Sequence, residues 1–162
     1  NKVVCKRWES LNTKSLEQSP KKAFETNLEL RKAVLTYCNQ GGYLDEHGHK
    51  GWISAPTASE QEMISNVYGS VINDWNVSDI EDFSSVFSHC RDFNEEISSW
   101  NTSKAKSMKY MFLKASSFNQ HLNGWNTSNV ENMGHMFFYA SSFNQPLNGW
   151  NTSNVENMGC MF

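Results

Sequence analysis

The chain has 162 residues, 38% of them hydrophobic and only 19% charged, with 14 Lys and Arg against 17 Asp and Glu. That composition describes one ordinary soluble domain and excludes a disordered polyelectrolyte. Residues 1–66 carry nine basic and eight acidic side chains, whereas residues 67–162 carry five and nine, so the second half repels phosphate and anionic lipid and no nucleic-acid partner is expected.

No stretch approaches the ~20 continuous apolar residues of a membrane span. The chain starts at Asn1 rather than Met, which leaves room for an upstream leader or anchor. In chain order, Thr26-Asn-Leu-Glu29 reads as a capping box, and Leu30, Ala33, Val34, Tyr37 and Cys38 follow at helical spacing. With Gly41-Gly42 as the stop, a helix is predicted from about 27 to 39. Asp45, Glu46, His47 and His49 could ligate a metal, but two His at i, i+2 in a Gly-flanked loop without a distant third ligand read as a solvated loop. No metal and no cofactor are expected.

Ser59-Glu-Gln-Glu62 opens a second short helix carrying Met63, Ile64 and Val67 and ending at Gly69. A strand is predicted from Val71 to Val77. Residues 1–68 are therefore expected to form a helical amino-terminal cap on a repeat array that occupies 69–162.

The array has a period of 25. Trp75, Trp100, Trp125 and Trp150 share one phase, Phe87, Phe112, Phe137 and Phe162 a second, and Phe93, Phe118 and Phe143 a third, each of these last followed by Asn. The segments FNQHLNGWNTSNVENMGHMF (118–137) and FNQPLNGWNTSNVENMGCMF (143–162) differ at two of twenty positions.

Within a unit, Leu122, Trp125 and Thr127 have the spacing L-x-x-L-x-L of a short strand, with the Thr facing inward. Ser128-Asn-Val-Glu131 then reads as a capping box, repeated at Ser153/Glu156 and Ser78/Glu81 and half lost at Ser103/Lys106. Val130, Met133, Phe137 and Ala140 place one apolar stripe on a helix of two to three turns. One strand and one helix cannot bury their own apolar faces, so consecutive units are expected to stack into an α/β solenoid. Asn76, Asn101, Asn126 and Asn151 would form a stacked amide row on its sheet face.

The pattern FNQPLNGWNTSNVENMxxMF resembles the roughly 25-residue surface-protein repeat of mycoplasma lipoproteins, a relative of the BspA-like leucine-rich repeats that is abundant in unicellular algae such as diatoms. The lead-in LRKAVLTYC, then YGSVINDWNVSDIEDFSSVF, is similar to that found before such repeats in algal proteins. The resemblance covers about residues 68–162. It implies a right-handed leucine-rich-repeat-like solenoid of about four units on exported or surface-attached proteins, used for contacts and not for catalysis. Phe162 falls in mid-unit, so the array is read as incomplete at its carboxyl end and the natural chain as continuing.

Cys5, Cys38, Cys90 and Cys160 allow three pairings, of which Cys5 with Cys38 is the only one entertained. Cys90 shares its phase with Ala115 and Ala140 and reads as a small buried residue. His89, His121 and His135 fall at three different phases and build no common site. Asn76-Val-Ser and three Asn-Thr-Ser triplets are formal glycosylation acceptors, but coils ~5 Å apart cannot carry a glycan on every rung.

No nucleophile with its base, phosphate loop or paired-carboxylate cleft is present, and no enzyme is expected. The function read from the sequence is a non-enzymatic interaction module, extracellular or at the cell surface. Asn101, Ser103, Asn126, Ser128, Asn151 and Ser153 are its candidate face toward a protein or glycan partner. The alternative is a structural or linking subunit of a larger assembly, including one in an organelle lumen.

Overall fold

The computed structural model of the chain describes residues 21–38, 43–44, 50–51 and 56–162. Cys5, Gly41, Gly42, Asp45, Glu46, His47 and His49 lie outside them, and with them the candidate metal cluster and the Cys5–Cys38 pairing.

Helix α1 spans Asn27–Tyr37. Thr26 accepts the Glu29 N–H on its hydroxyl at 3.2 Å, as an N-cap should. The Glu29 carboxylate turns back to the Glu25 N–H at 2.9 Å, one residue beyond the cap amide expected from a capping box. Leu30, Ala33 and Val34 form the buried stripe. Two short strands, β1 (Tyr43–Leu44) and β2 (Lys50–Gly51), pair antiparallel as the only sheet among the described residues.

Helix α2 spans Ala58–Tyr68 and is opened by Thr57 with Glu60, a complete capping box two residues earlier than the Ser59/Glu62 start. It ends at Gly69, whose φ of +108° suits glycine.

These amino-terminal elements sit on the first coil of the repeat. Phe24 stacks on Tyr68 at 4.0 Å and leans on Trp75 at 5.3 Å, and the Tyr37 ring meets Trp75 edge-on at 5.5 Å. The Phe24 N–H donates to the Asn76 carbonyl at 3.0 Å. Asn27 spans the carbonyls of Asp82 and Ser84 with its Nδ2 at 2.9 and 3.0 Å. Backbone acceptors at the edge of that coil are thereby satisfied.

From Val71 onward the expected α/β architecture is overturned. Beyond a 3₁₀ turn at Ile72–Asp74, the coils contain neither strand nor helix, so a leucine-rich-repeat solenoid of parallel strands and helices is not what forms. The hydrogen bonds give the reason. Alternate N–H groups of one coil donate to carbonyls of the next: Phe83 to Ser107 at 2.8 Å, Ser85 to Lys109 at 3.0 Å, Phe87 to Met111 at 2.9 Å and His89 to Leu113 at 2.7 Å. The following coil repeats this from Met108 to Asn132 and from Lys114 to Phe138, both at 2.8 Å.

The intervening amides close three-residue turns, such as Ser88 to Ser85 at 3.2 Å. An α-helix needs those same amides on the carbonyl four residues back. Left-handed φ values at Ser85, His89, Tyr110, Lys114, His135 and Tyr139 also interrupt any helical run over the apolar stripe. Without a helix, the Ser78, Ser128 and Ser153 boxes have nothing to cap.

The predicted strands fail for a similar reason. Trp75, Trp100 and Trp125 donate their N–H groups to Ile72, Ile97 and Leu122 at 3.2, 3.2 and 3.0 Å, closing turns within a coil. The parallel bridges linking Asp82, Ser107, Asn132 and Asn157 lie outside the predicted strand segments.

The repeat phases nonetheless set the core. Phe87, Phe112, Phe137 and Phe162 stack nearly parallel with centroids 5.2, 5.4 and 5.5 Å apart. Phe93, Phe118 and Phe143 stack at 5.8 and 6.0 Å, and Trp100 on Trp125 at 6.4 Å. Each indole N–H of Trp100, Trp125 and Trp150 reaches a carbonyl of the preceding coil, Ile72, Ile97 and Leu122, at 2.8, 3.1 and 2.8 Å. The inward Thr102 and Thr127 hydroxyls donate to the carbonyls of Asn126 and Asn151, both at 3.0 Å.

Equivalent positions differ where coils touch. A Cβ on Gly149 would lie 2.6 Å from the Asn123 carbonyl oxygen, whereas one on Gly124 meets nothing within 4 Å. Gly149→Ala is expected to destabilise by about 1–3 kcal/mol through this overpacking. Gly124→Ala should be neutral or stabilising by about 0.5 kcal/mol. Parallel thermal melts check this, and equal melting of the two variants would refute it.

Candidate interaction face

The six residues singled out on the sequence lie along one line of the stack. Asn101, Asn126 and Asn151 are exposed, and Ser103, Ser128 and Ser153 follow each by two positions. They do not form the inter-coil amide row expected of them. Each Asn folds its Oδ1 onto its own coil, accepting the N–H of Ser103, Ser128 or Ser153 at 3.1, 3.0 and 3.0 Å. This is an Asx turn, in which a side chain copies a backbone turn. Ser128 also donates its hydroxyl to Asn126 at 2.7 Å. Among the described residues the Nδ2 groups of the three exposed Asn have no hydrogen-bond acceptor, so each coil offers one amide donor at its surface.

The inter-coil amide ladder runs elsewhere. Asn94 accepts the Asn119 N–H, and Asn119 accepts the Asn144 N–H, both at 2.8 Å. Gln120 and Gln145 reinforce it through Nε2 bonds to the Asn94 and Asn119 carbonyls at 2.9 and 3.1 Å. The signal for it was the Asn that follows Phe93, Phe118 and Phe143.

Beside the Ser positions runs an open groove of about 490 Å³, lined among others by Ser103, Lys104, Lys106 and Asn129. At one end Lys104 pairs with Asp79 at 2.6 Å and Lys106 with Glu81 at 2.7 Å. The hydrogen bond from Lys106 holds the Glu81 carboxyl below its ordinary range, and the bonds to Glu81 and Asp79 raise Lys106 and Lys104. These pairs are exposed and contribute little stability. Asn129 and Asn154 donate across coils to the Ser103 and Ser128 carbonyls at 2.7 and 2.6 Å. Glu131 and Glu156 continue the column without an ion-pair partner among the described residues, so the groove grades from charge-paired to acidic.

His89 and His135 are half-buried and His121 is exposed, and no group of three His, Cys, Asp or Glu among the described residues converges as metal ligands. Cys90 is fully buried, as its Ala phase predicted, while Cys160 is exposed. Among the described residues no helix is long and apolar enough to cross a membrane.

Stacked coils of one repeated length, hydrogen-bonded edge to edge with equivalent residues in register, define a tandem-repeat protein. The chain belongs to the family described as Mycoplasma protein of unknown function, DUF285, whose pattern matches residues 58–162. This agrees with the resemblance to the mycoplasma repeat, while the coil structure gives no support to kinship with leucine-rich repeats. No curated protein and no solved structure matches the chain.

Proposed function

We propose that the chain is a non-enzymatic interaction module of a surface or exported protein, engaging a protein or glycan through the Asn101, Asn126 and Asn151 row. The observation that supports this reading is the set of outward Nδ2 donors, one per coil, on side chains whose Oδ1 is fixed internally. A donor already oriented by its own turn loses little side-chain entropy when it binds. Membership of a mycoplasma repeat family fits a surface location.

The test separates binding from folding. Asn126→Asp and Asn151→Asp keep the Oδ1 acceptor and the turn but remove the outward donor. Native size-exclusion chromatography of source material, with mass spectrometry of what co-elutes, identifies the partner. The double variant is expected to lose that partner at an unchanged melting temperature. Partner retention by the double variant would sink the assignment of the row, and so would parallel loss of partner and thermal stability.

A further inference from the structure

A second surface, away from the Asn row, carries a more specific chemistry. The segments 83–91, 108–116 and 133–141 form three adjacent rungs joined by the inter-coil hydrogen bonds, and they contain no Asp or Glu although residues 67–162 are acidic as a whole. Their outward side chains form a continuous ridge. Lys109 lies 4.8 Å from the centre of the Tyr110 ring, Tyr110 is 5.0 Å from His135, His135 is 5.5 Å from Phe138, and Phe138 is 4.3 Å from Tyr139. Tyr139 is 64% exposed, and Tyr110, Leu113, His135 and Phe138 are half-buried.

Two observations indicate that these side chains are there for contact. First, the left-handed positions of the rungs hold Ser85, His89, Tyr110, Lys114, His135 and Tyr139, five of the six with large side chains, where glycine would be conformationally cheaper. Gly134 and Gly159 occur beside such positions, at His135 and Cys160, and not at them. Second, Lys104 and Lys106 are ion-paired at the groove, whereas Lys109 and Lys114 on the ridge have no carboxylate partner among the described residues. Aromatic anchors with a cationic rim match an interface that takes an apolar side chain and is steered by negative charge.

We propose that this ridge docks an acidic protein segment whose aromatic or aliphatic side chain seats among Tyr110, Phe138 and Tyr139 while its carboxylates meet Lys109 and Lys114. The proposal rests on the reading of the chain as an interaction module and adds a second face to it. The probe is a short fluorescent peptide of Asp and Glu interrupted by two Phe and one Leu. Its control is a peptide with Lys in place of every acid.

By fluorescence anisotropy with the full chain, the acidic peptide should bind saturably and the Lys peptide should not. The combined Lys109→Glu and Lys114→Glu reversal should weaken binding at least about tenfold, and Tyr139→Ala several-fold. Asn126→Asp should leave it unchanged. No saturable binding, equal binding of both peptides, or indifference to the ridge variants would overturn the proposal. Binding of heparin or phosphatidylserine vesicles that depends on the two Lys, with none of the acidic peptide, would overturn the partner class. If the native partner is lost in the Asn126→Asp, Asn151→Asp variant while the peptide fails to bind, the ridge falls and the interaction module stands. If the peptide binds and no native partner depends on the Asn row, the ridge stands and the assignment of the Asn row falls.

Discussion

Phe112→Ala should lower the melting temperature by roughly 10 °C, from a loss of about 3–5 kcal/mol at about 2–4 °C per kcal/mol in a chain of this size. Phe112 is fully buried and touches aromatic rings on every side. It stacks between Phe87 and Phe137 at 5.2 and 5.4 Å, lies 4.1 Å from Phe118 and 6.3 Å from Trp125. Truncation removes the ring from both neighbouring coils and leaves a cavity whose walls, themselves stacked, cannot collapse. A Phe112→Ala melt within about 2 °C of the parent would show that the aromatic column does not hold the coils together.

Acid should loosen the amino-terminal helices from their seat through Glu29. Burial would raise its carboxyl, but the Glu25 N–H, the Lys22 ammonium and the Tyr68 hydroxyl outweigh burial and bring it to about 2. The Lys22 and Tyr68 contacts are both 2.6 Å. Burial and the bond to Glu29 push the Tyr68 phenol well above its ordinary range, so it remains a donor throughout. Because the folded carboxyl lies below its ordinary 4.5, the stabilisation is complete above that pH and is lost as pH falls toward about 2.

The shift corresponds to an upper bound of about 3 kcal/mol, and partial exposure of the site brings it nearer 1–2 kcal/mol. Glu29→Gln should destabilise by about that amount at neutral pH and flatten the pH dependence of the melting temperature over the same window. An unchanged acid limb in the variant would exclude Glu29 as the group responsible.

The repeat length and the core were legible because inward side chains recur at fixed phases whatever the backbone does between them. Trp100, Trp125, Phe112, Phe118, Thr102 and Thr127 are all buried as their phases required. The local backbone was not legible. The sets Leu122, Trp125, Thr127 and Val130, Met133, Phe137, Ala140 carry strand and helix spacings, yet turns that fold every second or third residue inward produce the same spacings.

What decides between them is where the amide hydrogens go. For Tyr110 and Phe112 they go to Gly134 and Met136, 24 residues away, a choice made by the neighbouring coil. The Asn row failed in the same way. Asn101, Asn126 and Asn151 looked like a ladder by periodicity, but each has a Ser N–H within reach in its own turn and takes it. Asn94 and Asn119 instead accept the N–H of Asn119 and Asn144 in the next coil. In the amino-terminal third, where caps and spacing act within one segment, α1 and α2 were read almost to the residue.

The edge-to-edge bonding bears on how such a gene can change. A coil offers the same donors on one edge and the same acceptors on the other, so removal of residues 119–143 would join Phe118 to Asn144 and recreate a complete junction. Insertion of a further copy does the same. Because 118–137 and 143–162 differ at only two of twenty positions, the product of such a change folds by bonds that already exist. Copy number, and with it the length of surface on display, is therefore free to vary in whole units while the rules of assembly stay fixed.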